Sequence, residues 1–242
     1  MARNRRYEYL LWDVDGTLLD FEYSMRVSLC RCLEKIGVEP TEEMIACYSR
    51  INDGWWKRLE KGQVTKSQLL TGRFTDFFEA CGIQCDDVAG FIASYQQSLG
   101  SVYRYMEDSL EICRKLKDMG YRQYTVTNGV TATQENKLKL SGFARIFNGN
   151  FISEQIGTAK PGKKFFEACF AGISEEHEEF DKSRALIIGD SLSSDIRGGE
   201  NAGIDTCWYR PVAEDTDSDP VRAGLPVPTY EIRSLQEIFE IV

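Results

Sequence analysis

Two aspartates, Asp13 and Asp15, stand one residue apart at the end of an apolar run, and Gly16 follows at once. The run Tyr7 to Trp12 reads as a strand with at least one buried face, and Gly16 marks its turn. Side chains alternate along a strand, which puts both carboxylates on one side. Like charges about 4 Å apart repel by about 4 kcal/mol at an effective dielectric of 20. A divalent cation or a lysine must offset that. Three further polar clusters follow apolar runs or their connecting turns: Thr127-Asn128-Gly129, Lys160-Pro161, and Gly189-Asp190-Ser191 with Ser194-Asp195.

Each cluster suits phosphoryl chemistry on a metal. Carboxylates and carbonyls are the hard oxygen ligands Mg²⁺ prefers, so Asp13, Asp190 and the Asp15 carbonyl would hold it. Thr127 offers a hydroxyl. The amides of Asn128 and Gly129 are expected to point at phosphate oxygens, since glycine lets a ligand approach the backbone. Lys160 supplies a point charge, and Pro161 sits where a helix would begin. Taken singly, Lys160-Pro161 reads as a solvated lysine before a helix, Thr127 to Gly129 as a turn, and Asp195 as a first-turn acid. Together, and at strand ends, they predict one shared site, because ligands of open parallel sheets bind beyond the carboxyl ends of the strands.

Competing motifs fail on inspection. Asp13-Val14-Asp15 begins like a calcium loop, but Leu18 and Ser24 occupy positions that require glycine and glutamate. Gly157 to Lys164 nearly makes a nucleotide P-loop, yet Lys164 stands in the Ser/Thr position. No G-x-G-x-x-G occurs. Cys81 and Cys85 lack a second pair for zinc, and His177, the only histidine, lies in the acidic run Glu175 to Glu179.

The elements that must position these residues fall into two rhythms. From Phe21 to Leu99 the pattern is helical. Helices are expected over Phe21 to Ile36, from Thr41 through Ile51, after the capping box Thr65 to Gln68, and over Asp86 to Leu99, while Asn52 to Gly62 holds Trp55 and Trp56. From Glu107 onward helix and strand alternate. The expected strands are Tyr121 to Val126, Asn150 to Ser153, Ala185 to Ile188 and Asp205 to Tyr209. Helices are expected over Leu110 to Met119, Thr131 to Leu140, Gly162 to Phe170 and Ser194 to Asn201. Glu214 to Pro228 reads as a loop, with a terminal helix from Ser234. Such alternation predicts an α/β fold with a parallel sheet, and makes the helical block an insertion after the first strand.

With 242 residues, 42% apolar and 28% charged, the chain can bury a large core. A net charge of −9 argues against a nucleic-acid polymer or an anionic membrane as partner. No apolar run of membrane-spanning or signal-peptide length follows the basic Met1 to Arg6. The eight cysteines sit mostly in apolar patterns, as reduced buried hydrophobes do. A cytoplasmic protein is expected.

The four clusters resemble the signature motifs of the haloacid dehalogenase superfamily of phosphohydrolases, and the resemblance covers essentially the whole chain. It implies a Rossmann-like core, residues 1–19 and 105–242, with sheet order 5-4-1-2-3, and an inserted helical C1 cap, residues 20–104. It also implies roles. Asp13 is the nucleophile that forms an aspartyl-phosphate, and Asp15 is the general acid and then the base. Thr127 and Lys160 position the phosphate, Asp190 binds Mg²⁺, and Asp195 supports it. Dehalogenases and phosphonatases of the superfamily lack an acid at the Asp15 position, which favours phosphoryl transfer to water. Asn52, Trp56, Gly62, Thr65, Gln68 and Gly72-Arg73-Phe74 look similar to the noncanonical pyrimidine 5′-nucleotidase branch. That likeness implies a small phosphorylated substrate, a nucleoside monophosphate, with Trp56 or Phe74 stacking on the base and Arg73 touching substrate or core. A sugar-phosphate phosphatase, a β-phosphoglucomutase-like mutase, a haloacid dehalogenase and a non-catalytic phosphate sensor are the alternatives. A monomer and a homodimer are both compatible with the sequence.

Overall fold

A computed structural model describes residues 5–211 and 224–242 of the chain. Strand β1 (Tyr9–Trp12) is buried along its whole length, as a strand covered on both faces must be. A tight turn over residues 13–19 follows, closed by Leu18 N and Leu19 N on Val14 O at 3.0 and 2.9 Å. Four helices come next: α1 (Phe21–Lys35), α2 (Glu42–Glu60), α3 (Lys66–Cys81) and α4 (Val88–Leu99). The remainder alternates: α5 (Ser109–Asp118), β2 (Arg122–Thr127), α6 (Thr131–Leu140), β3 (Gly149–Ile152), the single turn α7 (Ser153–Ile156), α8 (Lys163–Glu176) and β4 (Ala185–Gly189). A π-helical turn over Leu192–Ile196 runs into α9 (Arg197–Ala202), and β5 (Asp205–Tyr209), β6 (Tyr230–Ile232) and α10 (Ile238–Ile241) end the chain.

The chain divides into two compact units, Met1–Asp20 with Arg104–Val242, and Phe21–Tyr103. In the first, six parallel strands lie in the order β3-β2-β1-β4-β5-β6. The expected 5-4-1-2-3 arrangement is present, extended by one edge strand. β6 is only three residues long and follows a proline-rich stretch, so no run of alternating apolar residues announces it. One face of the sheet buries Tyr9, Leu11, Tyr124, Val126, Ala185 and Ile187 against Phe165, Phe166, Cys169 and Ile173 of α8. On the other face Trp12 donates to Gln123 Oε1 at 3.2 Å, and Gln123 in turn donates to Cys113 O at 2.8 Å. A polar pair is thereby satisfied inside the core.

The second unit is helical. The helix expected from Thr41 through Ile51 runs on to Glu60 as α2, with Asn52 buried within it and Gly54 not breaking it. The capping box at Thr65 and Gln68 opens α3, and Gly82 closes it in the left-handed conformation. Phe74, Phe77, Phe78, Phe91, Tyr48 and Tyr95 form its aromatic core together with Met25, Leu29 and Leu33 of α1. The loop expected over Glu214 to Pro228 lies, up to residue 223, outside the described residues. Among the described residues no helix is long and apolar enough to cross a membrane. All eight cysteines are free thiols.

Candidate active site

Strand register brings the clusters together. Trp12 pairs with Thr125 of β2 and Ile188 of β4, so β1, β2 and β4 end side by side, at Trp12, Thr127 and Gly189. Asp13 N then donates to Ile188 O at 2.9 Å, which fixes where the Asp13 side chain leaves the sheet. Gly16 turns the chain back with φ +99°, and a Cβ there would fall 2.5 Å from Asp190 Oδ2. Only glycine allows both that backbone conformation and that approach.

Lys160 stands at the centre, almost wholly buried. Its ammonium donates to Asp13 Oδ1 at 2.7 Å, Asp195 Oδ1 at 2.6 Å and Val126 O at 2.7 Å. All three of its donors are therefore used. Asn128 holds the lysine in place: its side-chain amide accepts from Lys160 N at 2.8 Å and donates to Lys160 O at 2.9 Å. The main-chain amides of Asn128 and Gly129 are the groups expected to face phosphate, and the Asn128 side chain has a separate task. Here the Asn128 side chain clasps the main chain of Lys160, and Gly129 N donates to Thr127 Oγ1 at 3.1 Å. α8 begins at Lys163, two residues beyond Pro161. Asp195 lies in the π-helical turn after β4, and its Oδ2 accepts from Ser191 N at 3.1 Å. Such turns are frequent at functional sites.

Asp13, Asp190 and Asp195 each present a carboxylate oxygen within 4.8 Å of the others. Three carboxylates against the one ammonium of Lys160 leave an excess of negative charge in a closed place. Burial, followed by the charge of Asp195, outweighs the pull of Lys160 and raises the Asp13 carboxyl from 3.8 to about 7. Burial and the charges of Asp13 and Asp195 likewise raise Asp190 well above its usual range. Burial alone would lower Lys160, but the facing carboxylates hold its pKa above the ordinary value. An all-oxygen set with uncompensated negative charge fits a hard divalent cation.

Several contributors were not foreseen. Thr17 Oγ1 donates to Asp190 Oδ1 at 3.0 Å, and Trp208 Nε1 to Asp190 O at 2.8 Å. Asp15 does not join the carboxylate triad through its side chain. Its Oδ2 accepts from Gln134 Nε2 at 2.6 Å and its Oδ1 from Lys137 Nζ at 2.5 Å, both on α6. The repulsion between Asp13 and Asp15 is thus offset by one lysine for each. A signal for the second was present: Thr133, Gln134 and Lys137 share the face of α6 where an amphipathic helix would carry apolar residues.

In the helical unit, Arg73 is buried and donates from Nη1 to Asn52 Oδ1 at 2.9 Å, with its guanidinium 5.1 Å from the Phe74 ring. Phe74 is itself fully buried, stacked on Tyr48 at 5.2 Å between centroids. It presents no ring face to a ligand, which corrects the expectation that it could stack on a base. Trp56 is half-buried, with Lys66 Nζ 5.5 Å from its ring.

Comparison with known proteins agrees with this geometry. The chain is 35% identical over 240 residues to the HAD-hydrolase YfnB of Bacillus subtilis, covering 98% of this chain and 96% of that protein. It is 36% identical over 235 residues to the pyrimidine 5′-nucleotidase PynA of Streptococcus pneumoniae, covering 97% and 94%. The crystal structure of YfnB in its orthorhombic form, bound to magnesium, matches with a TM-score of 0.87 over 98% of this chain and 99% of its own. The family model for haloacid dehalogenase-like hydrolases spans residues 10–209, from β1 to the end of β5, and so takes in all four polar clusters. By that span and those identities, the chain belongs to the haloacid dehalogenase-like hydrolases.

Proposed function

We propose that this chain is a Mg²⁺-dependent phosphomonoesterase acting on nucleoside 5′-monophosphates. The observation that carries the reading is the Asp13 carboxylate, held between Lys160 and two further acids at the mouth of three parallel strands. Asp13, Asp190 and Asp195 are the residues that would hold the cation. When bound, it neutralises charge on the phosphoryl group and on the carboxylates around it.

The remaining work falls to side chains. A carboxylate oxygen of Asp13 attacks phosphorus, and the ester P–O bond breaks as Asp15 gives its proton to the departing oxygen. Asp15, now ionised, takes a proton from water. The water oxygen forms the new P–O bond, the Asp13 acyl-phosphate bond breaks, and inorganic phosphate leaves. Lys160 anchors the nucleophile and favours charge on the phosphoryl oxygens, while Thr127 offers a hydroxyl beside it. The acid at position 15 argues for phosphate esters over carbon–halogen bonds. The nucleotide class rests on relatives named pyrimidine 5′-nucleotidases, PynA and the YjjG protein of Escherichia coli.

Phosphate release measured across nucleoside monophosphates and sugar phosphates, with Mg²⁺ or with chelator, tests the reading. Release from UMP that needs Mg²⁺ and disappears in Asp13→Asn is expected. Preference for a hexose phosphate would overturn the substrate class, and no release from any ester would overturn the activity.

A further inference from the structure

We propose that Lys137 and Gln134 are positioning residues that aim the Asp15 side chain for proton transfer to the departing oxygen. The inference rests on the phosphomonoesterase reading and deepens it. Asp15 is bracketed: Gln134 Nε2 lies 2.6 Å from Oδ2 and Lys137 Nζ 2.5 Å from Oδ1, so each carboxylate oxygen has its own donor from α6. One donor on each oxygen fixes the plane of the carboxyl group as well as its place. Gln134 and Lys137 lie three apart, the spacing that puts two side chains on one helical face.

A purely structural role accounts poorly for this pair. Lys137 is fully buried and Gln134 nearly so, on the face of α6 that packs inward. Buried ion pairs seldom exceed well-packed apolar residues in stability, because taking both charges out of water costs as much as their attraction returns. Gln134 carries a further cost: its Oε1 is buried with no hydrogen-bond partner. Turning the amide over would set that oxygen against the Asp15 carboxylate. The amide is therefore committed to Asp15 at the expense of its own acceptor. Gly129 supports the arrangement, since a Cβ there would lie 2.3 Å from Gln134 Nε2. The Asp15 side chain meanwhile keeps 22% of its surface open, enough for one edge to meet a substrate oxygen.

The test separates aim from packing through the leaving group. Phenyl phosphate and p-nitrophenyl phosphate are alike in size, but phenolate needs a proton to leave and p-nitrophenolate hardly does. The ratio kcat/KM reports steps up to the first irreversible one, the departure of that group. In the Mg²⁺-loaded enzyme, Lys137→Met and Gln134→Met are expected to lower kcat/KM for phenyl phosphate by about tenfold or more, within the range general acids contribute. For p-nitrophenyl phosphate the change stays within about threefold. Lys137→Arg, which keeps a donor, recovers much of the loss. Equal losses on both esters in folded variants, or none on either, overturn the positioning role. If one variant does not fold, the other carries the comparison. A wild-type enzyme that releases phosphate from no ester, UMP included, fails the phosphomonoesterase reading itself, and the positioning role falls with it.

Discussion

Lys160 Nζ stands 2.7 Å from Asp13 Oδ1, although 147 residues separate them. The same nitrogen also meets Asp195 Oδ1, so one ammonium is the only cation among the described residues in contact with either acid. Removing it leaves buried carboxylates with nothing opposite. Lys160→Met is expected to lower unfolding stability of the metal-free protein by about 3–5 kcal/mol at pH 8, the usual cost of breaking a buried pair from one side. At pH 5 the loss should be smaller, because the orphaned carboxyls then take up protons. Urea unfolding at both pH values checks this, read as a change in midpoint at constant slope. A variant as stable as wild type at pH 8 would contradict the geometry. Phosphate release should fall in the same variant.

The raised Asp13 carboxyl sets a direction for pH dependence. Its value is 3.8 unfolded and about 7 folded, so between those limits the folded chain binds more protons than the unfolded one. Stability from this group is complete below about 3.8 and is lost as pH rises through about 7. Asp190 is shifted the same way and adds to the slope. Metal-free protein should therefore show a Tm that declines from this site as pH rises from 5 to 8. Asp13→Asn should flatten that decline. Mg²⁺ and protons compete for the same oxygens, so added Mg²⁺ should raise Tm more at pH 8 than at pH 5. Thermal melts of both proteins, with and without Mg²⁺, check it. An equal rise at both pH values would count against cation binding by this triad.

The four polar clusters were legible because each combines an unusual residue type with a strand end, and parallel topology gathers such ends in one place. The parallel sheet followed from the alternation of helix and strand, and the order of its five strands from the resemblance to the haloacid dehalogenase superfamily. β6 was not legible: three residues carry too little periodicity to stand apart from a proline-rich approach. Lys137 and Gln134 escaped for another reason. A lysine in a helical pattern is read as solvated, and only the near-absence of apolar residues on the inner face of α6 marks it as buried. The task of the Asn128 side chain was not legible either, because only the fold brings its carboxamide onto the main chain of Lys160, 32 residues away. Phe74 shows the limit of residue type as a guide. An aromatic beside an arginine suits a base-binding face and an interior equally well, and only the packing decides.

That packing separates two aromatic residues in the helical unit by experiment. Phe74 is stacked on Tyr48 and edge-on to Phe91 and Tyr95, so Phe74→Ala opens a cavity and should cost about 3–5 kcal/mol in stability. Its effect on kcat/KM should be parallel for UMP and p-nitrophenyl phosphate, since no ring face is open to a base. Trp56 is half-buried, unlike Phe74. If it stacks on the base, Trp56→Ala should raise KM for UMP by the factor that stacking energy of about 1–3 kcal/mol implies, between about fivefold and about a hundredfold. KM for p-nitrophenyl phosphate, which has no base, should move far less. Stability should change little, because less apolar surface leaves the interior. Steady-state kinetics on the two esters, with a melt of each variant, settles the assignment. Parallel shifts in Trp56→Ala would make Trp56 a packing residue like Phe74 and move base recognition elsewhere in the chain.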